Sequence, residues 1–147
     1  MNLDKNLREF IALLNSTGVR YVLVGGHAVA FHGHPRYTGD IDFFVEPSAE
    51  TASKLERVLI EFGFGGLQIK AADFLAPGII VQLGRPPNRI DLLTAIDAVT
   101  FEQAWNGRVA AELDGLPVAI IGRAELLRNK RGSGRPQDLA DLAKIEK

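Results

Sequence analysis

The sequence predicts an α/β (α+β) protein in which helices flank a short, mixed central β-sheet. Short runs of β-branched and aromatic residues alternate with segments whose apolar residues recur at helical spacing, as this class requires. The chain has 147 residues, of which 46% are hydrophobic, and this is enough to form one core. We therefore expect a single domain over residues 1–147 that ends in a helical tail over roughly 123–147.

The first half of the chain alternates between the two kinds of element. The predicted elements are a helix over 3–16, a strand over 21–24, a short helix ending near Gly33, a strand over 40–45 and a helix between Ser48 and Gly63. Ser48 is suited to an N-cap because its hydroxyl accepts a hydrogen bond from a backbone N–H. Gly63 is suited to end the helix because glycine readily adopts a left-handed conformation.

The second half contains a hairpin and a helical end. The predicted elements are strands over 79–83 and 89–93, a short helix over 98–105, a strand over 116–121 and helices over 123–130 and 136–146. The two mid-chain strands flank a turn rich in glycine and proline, which makes a hairpin the simplest interpretation. The Gly132-Ser133-Gly134 stretch is expected to separate the last two helices.

Charge and composition exclude several classes of function. A formal net charge of −1 provides no global field for non-specific binding to nucleic acid, although a local basic patch stays open. The absence of cysteine excludes disulfides, thiolate chemistry and zinc–thiolate sites. The N-terminus lacks the apolar core of a signal peptide, and no apolar run is long enough to span a bilayer. We therefore expect a cytoplasmic protein.

Three aspartates are the candidate catalytic residues. Asp40 and Asp42 are two residues apart on one predicted strand and so share a face, while Ile41 points to the opposite side. Asp91 lies on another predicted strand, which brings it beside this pair if the two strands are neighbours. Carboxylates this close repel one another unless a cation lies between them, and Mg²⁺ prefers carboxylate oxygens. The three residues together predict a metal site, whereas an Asp-x-Asp motif alone also fits a solvated strand end.

A pair of glycines marks the candidate phosphate site. Gly25 and Gly26 follow the first predicted strand and open a helix, where free backbone N–H groups and the helix dipole favour a phosphate. Glycine also lets the backbone approach that phosphate closely. The alternative is an ordinary strand-to-helix turn, and it is the aspartates further along the chain that favour the phosphate interpretation.

These motifs together resemble the polymerase-beta-like nucleotidyltransferase superfamily. The resemblance rests on the stretches VGGHAVA (24–30) and RYTGDIDF (36–43), followed by a later strand that bears Asp91. Within the superfamily the chain is most similar to small bacterial minimal nucleotidyltransferases and to the toxin components of abortive-infection systems. The resemblance implies the nucleotidyltransferase fold.

The resemblance also implies a chemistry and gives each motif a role. It implies that a nucleoside monophosphate is transferred from an NTP such as ATP to a hydroxyl group. The glycine pair would hold the triphosphate, and Asp40 and Asp42 would hold Mg²⁺, with two ions expected. Asp91 would complete the ion nearer the acceptor and is the candidate general base.

Three further residues near these motifs are candidates for nucleotide binding. His27 stands where many members of the superfamily have Ser or Thr, so it either contacts phosphate in their place or covers the start of the helix. Arg36 precedes the aspartate pair and is suited either to a phosphate or to a salt bridge with an aspartate. Thr38, two residues before Asp40, is expected at the same mouth.

The C-terminal tail adds two candidates. Its basic residues indicate either a solvated face or a contact with triphosphate or nucleic acid. Lys130 and the stretch RPQDLADL (135–142) are similar to the lysine and the Arg/Lys-Asp-x-x-Asp tail of the toxin-like relatives. That similarity implies that Lys130 contacts phosphate and that Asp138 lies near the site. Asp138 is equally suited to cap the last helix, with Pro136 in its first turn.

The acceptor leaves no motif in the sequence. RNA, protein and small-molecule hydroxyls are all compatible with the resemblance, and an antibiotic-modifying enzyme of the aminoglycoside or lincosamide type is the rival activity. A catalytically silent relative that binds nucleotides or forms oligomers is the non-enzymatic alternative, which the intact aspartates disfavour. The stretch after Asp91 is short, so we expect a macromolecular acceptor or a site completed by a homodimer. The resemblance alone suggests an antitoxin partner.

Overall fold

A six-stranded mixed sheet flanked by helices forms the framework of the protein. The computed structural model describes residues 5–34, 39–63, 69–85 and 89–146. The helices are α1 (Lys5–Thr17), α2 (Gly25–Phe31), α3 (Ala49–Phe62), α4 (Phe101–Asn106), α5 (Arg123–Ser133) and α6 (Pro136–Ile145). The strands are β1 (Tyr21–Val24), β2 (Asp40–Val45), β3 (Ile80–Leu83), β4 (Arg89–Leu93), β5 (Val109–Leu113) and β6 (Leu116–Ile120). Within these ranges, none of the helices combines the length and the apolar character that crossing a membrane demands.

The strand order β3-β4-β2-β1-β6-β5 combines parallel and antiparallel neighbours. The central strand β1 pairs antiparallel with β2 and parallel with β6, and β2 pairs parallel with β4. Antiparallel hairpin pairs, β3 with β4 and β5 with β6, form the two edges. The predicted mixed sheet and the mid-chain strand pairing are therefore confirmed.

One face of β2 is wholly apolar, and the other carries the aspartates of the candidate site. Successive residues of a strand point to opposite faces, so Phe43 points away from the aspartates. The Phe43 ring is fully buried, with its centroid 5.7 Å from that of Phe10 in α1 and 5.3 Å from that of Tyr21 in β1. On the other face, Phe44 lies against Phe101 of α4, with ring centroids 5.2 Å apart. Burial of these rings fixes β2 in the sheet and so fixes the direction of its polar residues.

The caps predicted for the third helix are present in α3. The Ser48 hydroxyl accepts a hydrogen bond from the Thr51 backbone N–H at 3.2 Å. Gly63 ends the helix with a φ of 101°, which favours glycine over other residues. Both ends of this helix are thus determined by local sequence.

Three features differ from the sequence-based prediction. Strand β5 is absent from the predicted elements because its small and charged interior residues give little strand signal. Helix α2 begins at Gly25, so the glycines form its first turn, whereas the residue pattern predicts a short helix over 28–31 after the glycine turn. Helix α5 continues through Gly132 to Ser133, because Gly134 provides the left-handed stop with a φ of 64°.

Candidate active site

The floor of the candidate site is a group of polar residues on three neighbouring strands. In the parallel pair β2–β4, Asp42 lies opposite Asp91 and Asp40 lies opposite Arg89. In the antiparallel pair β3–β4, Gln82 lies opposite the same Asp91. Directly opposed residues point to the same face of a sheet. The three strands therefore present all five side chains on one side.

The structure brings the three predicted catalytic aspartates together. One carboxylate oxygen from each of Asp40, Asp42 and Asp91 lies within 4.8 Å of the other two. Asp91 is buried, while Asp40 and Asp42 are half-buried. Hard oxygen donors gathered at such separations fit a divalent cation such as Mg²⁺. Within the described parts of the chain, this is the single group of three acidic or histidine side chains with such geometry.

The environment of Asp42 opposes its ionisation. The pKa of Asp42 is raised from 3.8 to about 7. Burial is the largest cause of this rise in pKa, followed by a hydrogen bond with Asp91 and by the negative charges of Asp40 and Asp91. The positive charge of Arg89 acts in the opposite direction and lowers the pKa. A bound divalent cation would reverse this balance because it favours the ionised carboxylates.

Arg89 is a cation hydrogen bonded to two members of the aspartate cluster. Its Nη2 donates to Asp40 Oδ2 at 2.7 Å and to Asp91 Oδ2 at 3.0 Å, and its Nε donates to Asp91 Oδ1 at 2.9 Å. The guanidinium thus compensates two of the three aspartates. The sequence predicts no role for Arg89, although its spacing of two residues from Asp91 on one strand places both on the same face.

Position 25 requires a glycine because it lies directly against the side chain of Asp42. A Cβ atom added at Gly25 would lie 2.9 Å from Asp42 Cγ and closer still to Oδ2. The φ of Gly25 is +70°, a conformation that other residues rarely adopt. Because Gly25 has no side chain, the start of α2 can approach the aspartates closely.

His27 is buried in the first turns of α2. The residue is 8% exposed, and its Nδ1 has no hydrogen-bond partner among the described residues. Burial lowers the pKa of His27, against the opposing charge of nearby Asp40. The structure therefore supports a neutral imidazole close to the aspartate cluster, and its contact with phosphate stays a prediction.

A cavity of about 590 Å³ lies over this floor. Gly25 lines it at the β1 side and Gln82 at the β3 edge. The loop after β4 contributes Asp97, and the C-terminal helices contribute Lys130 and Arg135. The cavity therefore joins the aspartate cluster to the basic end of the chain.

Lys130 and Asp138 meet in a buried ionic cluster where α5 packs against α6. Lys130 Nζ donates to Asp138 Oδ1 at 2.8 Å and lies 3.3 Å from Asp141 Oδ2. Asp138 also accepts hydrogen bonds from the Ser133 hydroxyl and, at 2.7 Å, from Arg135 Nε. Burial by itself would raise the pKa of Asp138, but the hydrogen bonds from Lys130, Ser133 and Arg135 lower it to about 2.

These contacts exclude one interpretation of Asp138. Asp138 does not cap α6, because the N-cap is Arg135 and no side chain supplies the capping hydrogen bond. The capping interpretation of Asp138 is therefore wrong, while the placement of Pro136 in the first turn is confirmed. Lys130 lines the cavity, yet its ammonium already has two carboxylate partners, and a contact with phosphate stays a prediction.

Two predicted site residues cannot be placed. Arg36 and Thr38 lie outside the described residues, so their roles stay predictions. Among the described residues, the cavity also contains Arg135, for which the sequence predicts no individual role. The available signal is its position immediately before Pro136, at the start of the last helix.

The fold and the site together define a nucleotidyltransferase. Two aspartates on one strand and a third on its parallel neighbour converge under a cavity next to a glycine-led helix. The chain belongs to the family described as "Nucleotidyl transferase of unknown function (DUF2204)", which it matches over residues 3–147. The predicted superfamily resemblance is thereby confirmed.

Solved structures of two nucleotidyltransferase-type proteins are similar in fold. One is the "Crystal Structure of ANT(2")-Ia in complex with adenylyl-2"-tobramycin", with 15% identity, a TM-score of 0.57 and coverage of 95% of this chain and 84% of that chain. The other is an antigenic nucleotidyltransferase-like protein from Paracoccidioides brasiliensis, with 14% identity, a TM-score of 0.53 and coverage of 95% and 74%. At these identities the likeness concerns the fold alone. No curated protein sequence matches this chain.

Proposed function

We propose that this protein is a metal-dependent nucleotidyltransferase that moves a nucleoside monophosphate from an NTP to a hydroxyl group. The observation that carries the proposal is the convergence of Asp40, Asp42 and Asp91 within 4.8 Å, beside a glycine that admits no side chain. Membership of a nucleotidyl transferase family supports the same reaction.

The three aspartates would hold the metal. We assign Asp40 and Asp42 to two Mg²⁺ ions and Asp91 to the ion nearer the acceptor. Such ions, when bound, stabilise the charge that develops on the attacking and leaving oxygens of an in-line displacement. Arg89 shares carboxylate oxygens with this site, so its hydrogen bonds to Asp40 and Asp91 compete with metal binding.

The transfer step needs a base next to the acceptor. The acceptor oxygen forms a bond to the α-phosphorus, while the bond from that phosphorus to the oxygen bridging to the β-phosphate breaks and pyrophosphate leaves. We assign Asp91 as the general base that takes the hydroxyl proton. Its position between Asp42 and the exposed Gln82 supports this role, because the acceptor then enters from the β3 edge of the cavity.

The triphosphate would lie at the start of α2. The first backbone N–H groups of a helix have no partner within it, and Gly25 and Gly26 leave space for a close approach. The Nδ1 of His27, which has no hydrogen-bond partner among the described residues, supplies a further hydrogen-bonding atom near this turn. Arg36, Thr38 and Lys130 are the remaining candidates from the sequence.

The proposed acceptor is a hydroxyl group of an RNA, a protein or a small molecule. We retain RNA or protein as the leading class. The fold likeness to ANT(2")-Ia keeps an antibiotic-type acceptor as the second candidate. A toxin role with an antitoxin partner, a homodimer and a cytoplasmic location are further proposals that follow from the resemblance and the composition.

Isothermal titration tests the nucleotide site. The unaltered chain is titrated with ATP, GTP, CTP and UTP, each with Mg²⁺ and with EDTA. We expect metal-dependent binding of at least one NTP, and its loss in Asp42→Asn. Asp114→Asn is the matched control, since Asp114 forms a surface ion pair with Arg8 outside the cavity. Unchanged nucleotide affinity in Asp42→Asn would contradict the proposal.

A labelling experiment then identifies the acceptor class. NTPs labelled at the α-phosphate are offered, with the protein and Mg²⁺, to total cell RNA, total cell protein and tobramycin. Label in one fraction, absent with Asp42→Asn, assigns the acceptor to that fraction. Metal-dependent binding without any transfer would favour the catalytically silent alternative.

A further inference from the structure

Arg135 is an accessible cation on the wall of the cavity. It is the N-cap of α6 and lines the same cavity as the three aspartates of the site. Its Nε donates to Asp138 at 2.7 Å, yet 75% of the Arg135 side chain remains exposed. No other hydrogen bond joins its guanidinium to any residue in the described ranges. Its Nη groups therefore remain available to a ligand.

The other two described basic residues of the cavity, Arg89 and Lys130, already form ion pairs with aspartates. Of the described residues that line the cavity, Arg89, Lys130 and Arg135 are basic. Arg89 is hydrogen bonded to two aspartates of the floor, and Lys130, with 6% of its side chain exposed, lies between two buried aspartates of α6. Withdrawing Lys130 would remove the cation that these two buried carboxylates share, which is strongly unfavourable. Arg135 has no such constraint.

Asp138 fixes the direction of Arg135. The Asp138 carboxylate is itself held by Lys130 and Ser133, so it offers Arg135 a rigid acceptor. The hydrogen bond to Asp138, followed by the charges of Asp138, Asp97 and Asp42, raises the pKa of Arg135. Because Arg135 and the three aspartates line the same cavity, this guanidinium lies in the electrostatic field of the aspartate cluster.

We propose that Arg135 binds the outer phosphates of the NTP and that Asp138 is its positioning residue, with Lys130 as the buried counter-ion of Asp138. This inference rests on the proposed nucleotidyltransferase function. The outer phosphates carry most of the charge of an NTP, and an arginine with free Nη groups recognises phosphate oxygens through paired hydrogen bonds. The assignment differs from the prediction by resemblance, in which Lys130 itself contacts phosphate.

Comparison of nucleotides of different phosphate length tests the assignment. The NTP that binds the unaltered chain best, and the corresponding diphosphate and monophosphate, are titrated with Mg²⁺ into Arg135→Gln and Arg135→Lys. Arg131→Gln is the matched control, because Arg131 is an exposed arginine of α5 that pairs with Glu146 and does not line the cavity. Circular dichroism and thermal melting verify that each variant is folded.

The expected result is a selective loss. Arg135→Gln weakens NTP binding about tenfold to a hundredfold, as for a hydrogen bond to a charged group, and leaves monophosphate binding unchanged. Arg135→Lys retains part of the NTP affinity, and Arg131→Gln binds like the unaltered chain. Asp138→Asn, if folded, shows the same selectivity for the triphosphate, and the Arg135 variants decide the question if it is not.

Two outcomes would overturn the assignment. One is unchanged NTP affinity in Arg135→Gln, and the other is an equal loss for the triphosphate and the monophosphate. Either outcome leaves the proposed function intact, because the unaltered chain still binds the nucleotide with metal. Absence of metal-dependent nucleotide binding by the unaltered chain removes the proposed function, and this inference with it.

Discussion

Arg89 Nη2 lies 2.7 Å from Asp40 Oδ2, and the two residues are direct partners across the parallel strands β4 and β2. The same guanidinium holds Asp91 through two further hydrogen bonds. The site therefore contains its own cation at the carboxylates where a metal is expected. Binding of a metal at this cluster would be linked to release of Arg89, because both use the same oxygens.

Replacement of Arg89 tests this linkage. Arg89→Met leaves three neighbouring carboxylates without their cation, so we expect a lower melting temperature than the unaltered chain in EDTA. Mg²⁺ should raise the melting temperature of the variant more than that of the unaltered chain, since no guanidinium competes. Arg8→Met, which removes a surface ion pair with Asp114, is the control. Equal responses to Mg²⁺ in all three proteins would contradict the linkage.

Gly25 and Gly33 form a matched pair for the role of close packing. Both have positive φ, +70° and +108°, but a Cβ at Gly25 meets Asp42 whereas a Cβ at Gly33 has nothing within 4 Å. Each change to Ala should cost about 1 kcal/mol or more of the free energy of unfolding through the backbone. We expect only Gly25→Ala to lose metal-dependent nucleotide binding, measured by titration. Normal binding in Gly25→Ala would show that the contact with Asp42 is dispensable.

Lys130 is predicted to be a major contributor to stability. Lys130→Met leaves Asp138 and Asp141 buried without their shared cation, and loss of one partner of a buried ion pair costs about 3–5 kcal/mol. Lys54→Met, at an exposed pair with Glu50 on α3, should cost less than about 1 kcal/mol. Urea unfolding of the two variants measures both values. Equal losses of unfolding free energy in Lys130→Met and Lys54→Met would contradict the assignment of Lys130 as a buried, stabilising ion-pair partner.

The low pKa of Asp138 predicts how stability depends on pH. The pKa is about 2 in the folded protein against an ordinary value of 3.8, so the unfolded chain binds more protons between these values. The contribution of this carboxylate, about 2 kcal/mol, is fully present above about pH 4 and is lost as the pH falls through about 2.

Urea unfolding at several pH values tests this contribution. The difference in free energy of unfolding between the unaltered chain and Asp138→Asn should be constant near neutral pH and shrink below about pH 4. Asp114→Asn serves as the control, since Asp114 forms a surface ion pair. A difference that persists unchanged at the lowest pH would contradict the assigned ionisation.

Local sequence was sufficient to predict most elements of the fold. The strand Tyr21–Val24, the hairpin strand Arg89–Leu93 and the capped helix after Ser48 lie where the residue pattern places them. Strand periodicity also puts Asp40 and Asp42 on one face, because alternate residues point the same way. Strand β5 was not predicted, because it contains few β-branched residues.

Other parts of the site depend on contacts between distant segments. The pairing of Asp42 with Asp91 requires the parallel register of β2 and β4, which no turn between the two strands specifies. The buried cluster of Lys130 and Asp138 requires α5 and α6 to pack side by side. Spacing along the chain indicates neither the partners of these ions nor their burial.

The sequence by itself determined which residue types carry charge and which of them share a strand face, because those properties are local. Only the tertiary structure decided which opposite charges meet: Arg89 with the aspartates of the floor, and Lys130 with the aspartates of α6. The physical reason is that ion pairing depends on distance in space and on exclusion of water, and both are set when the sheet and the helices pack.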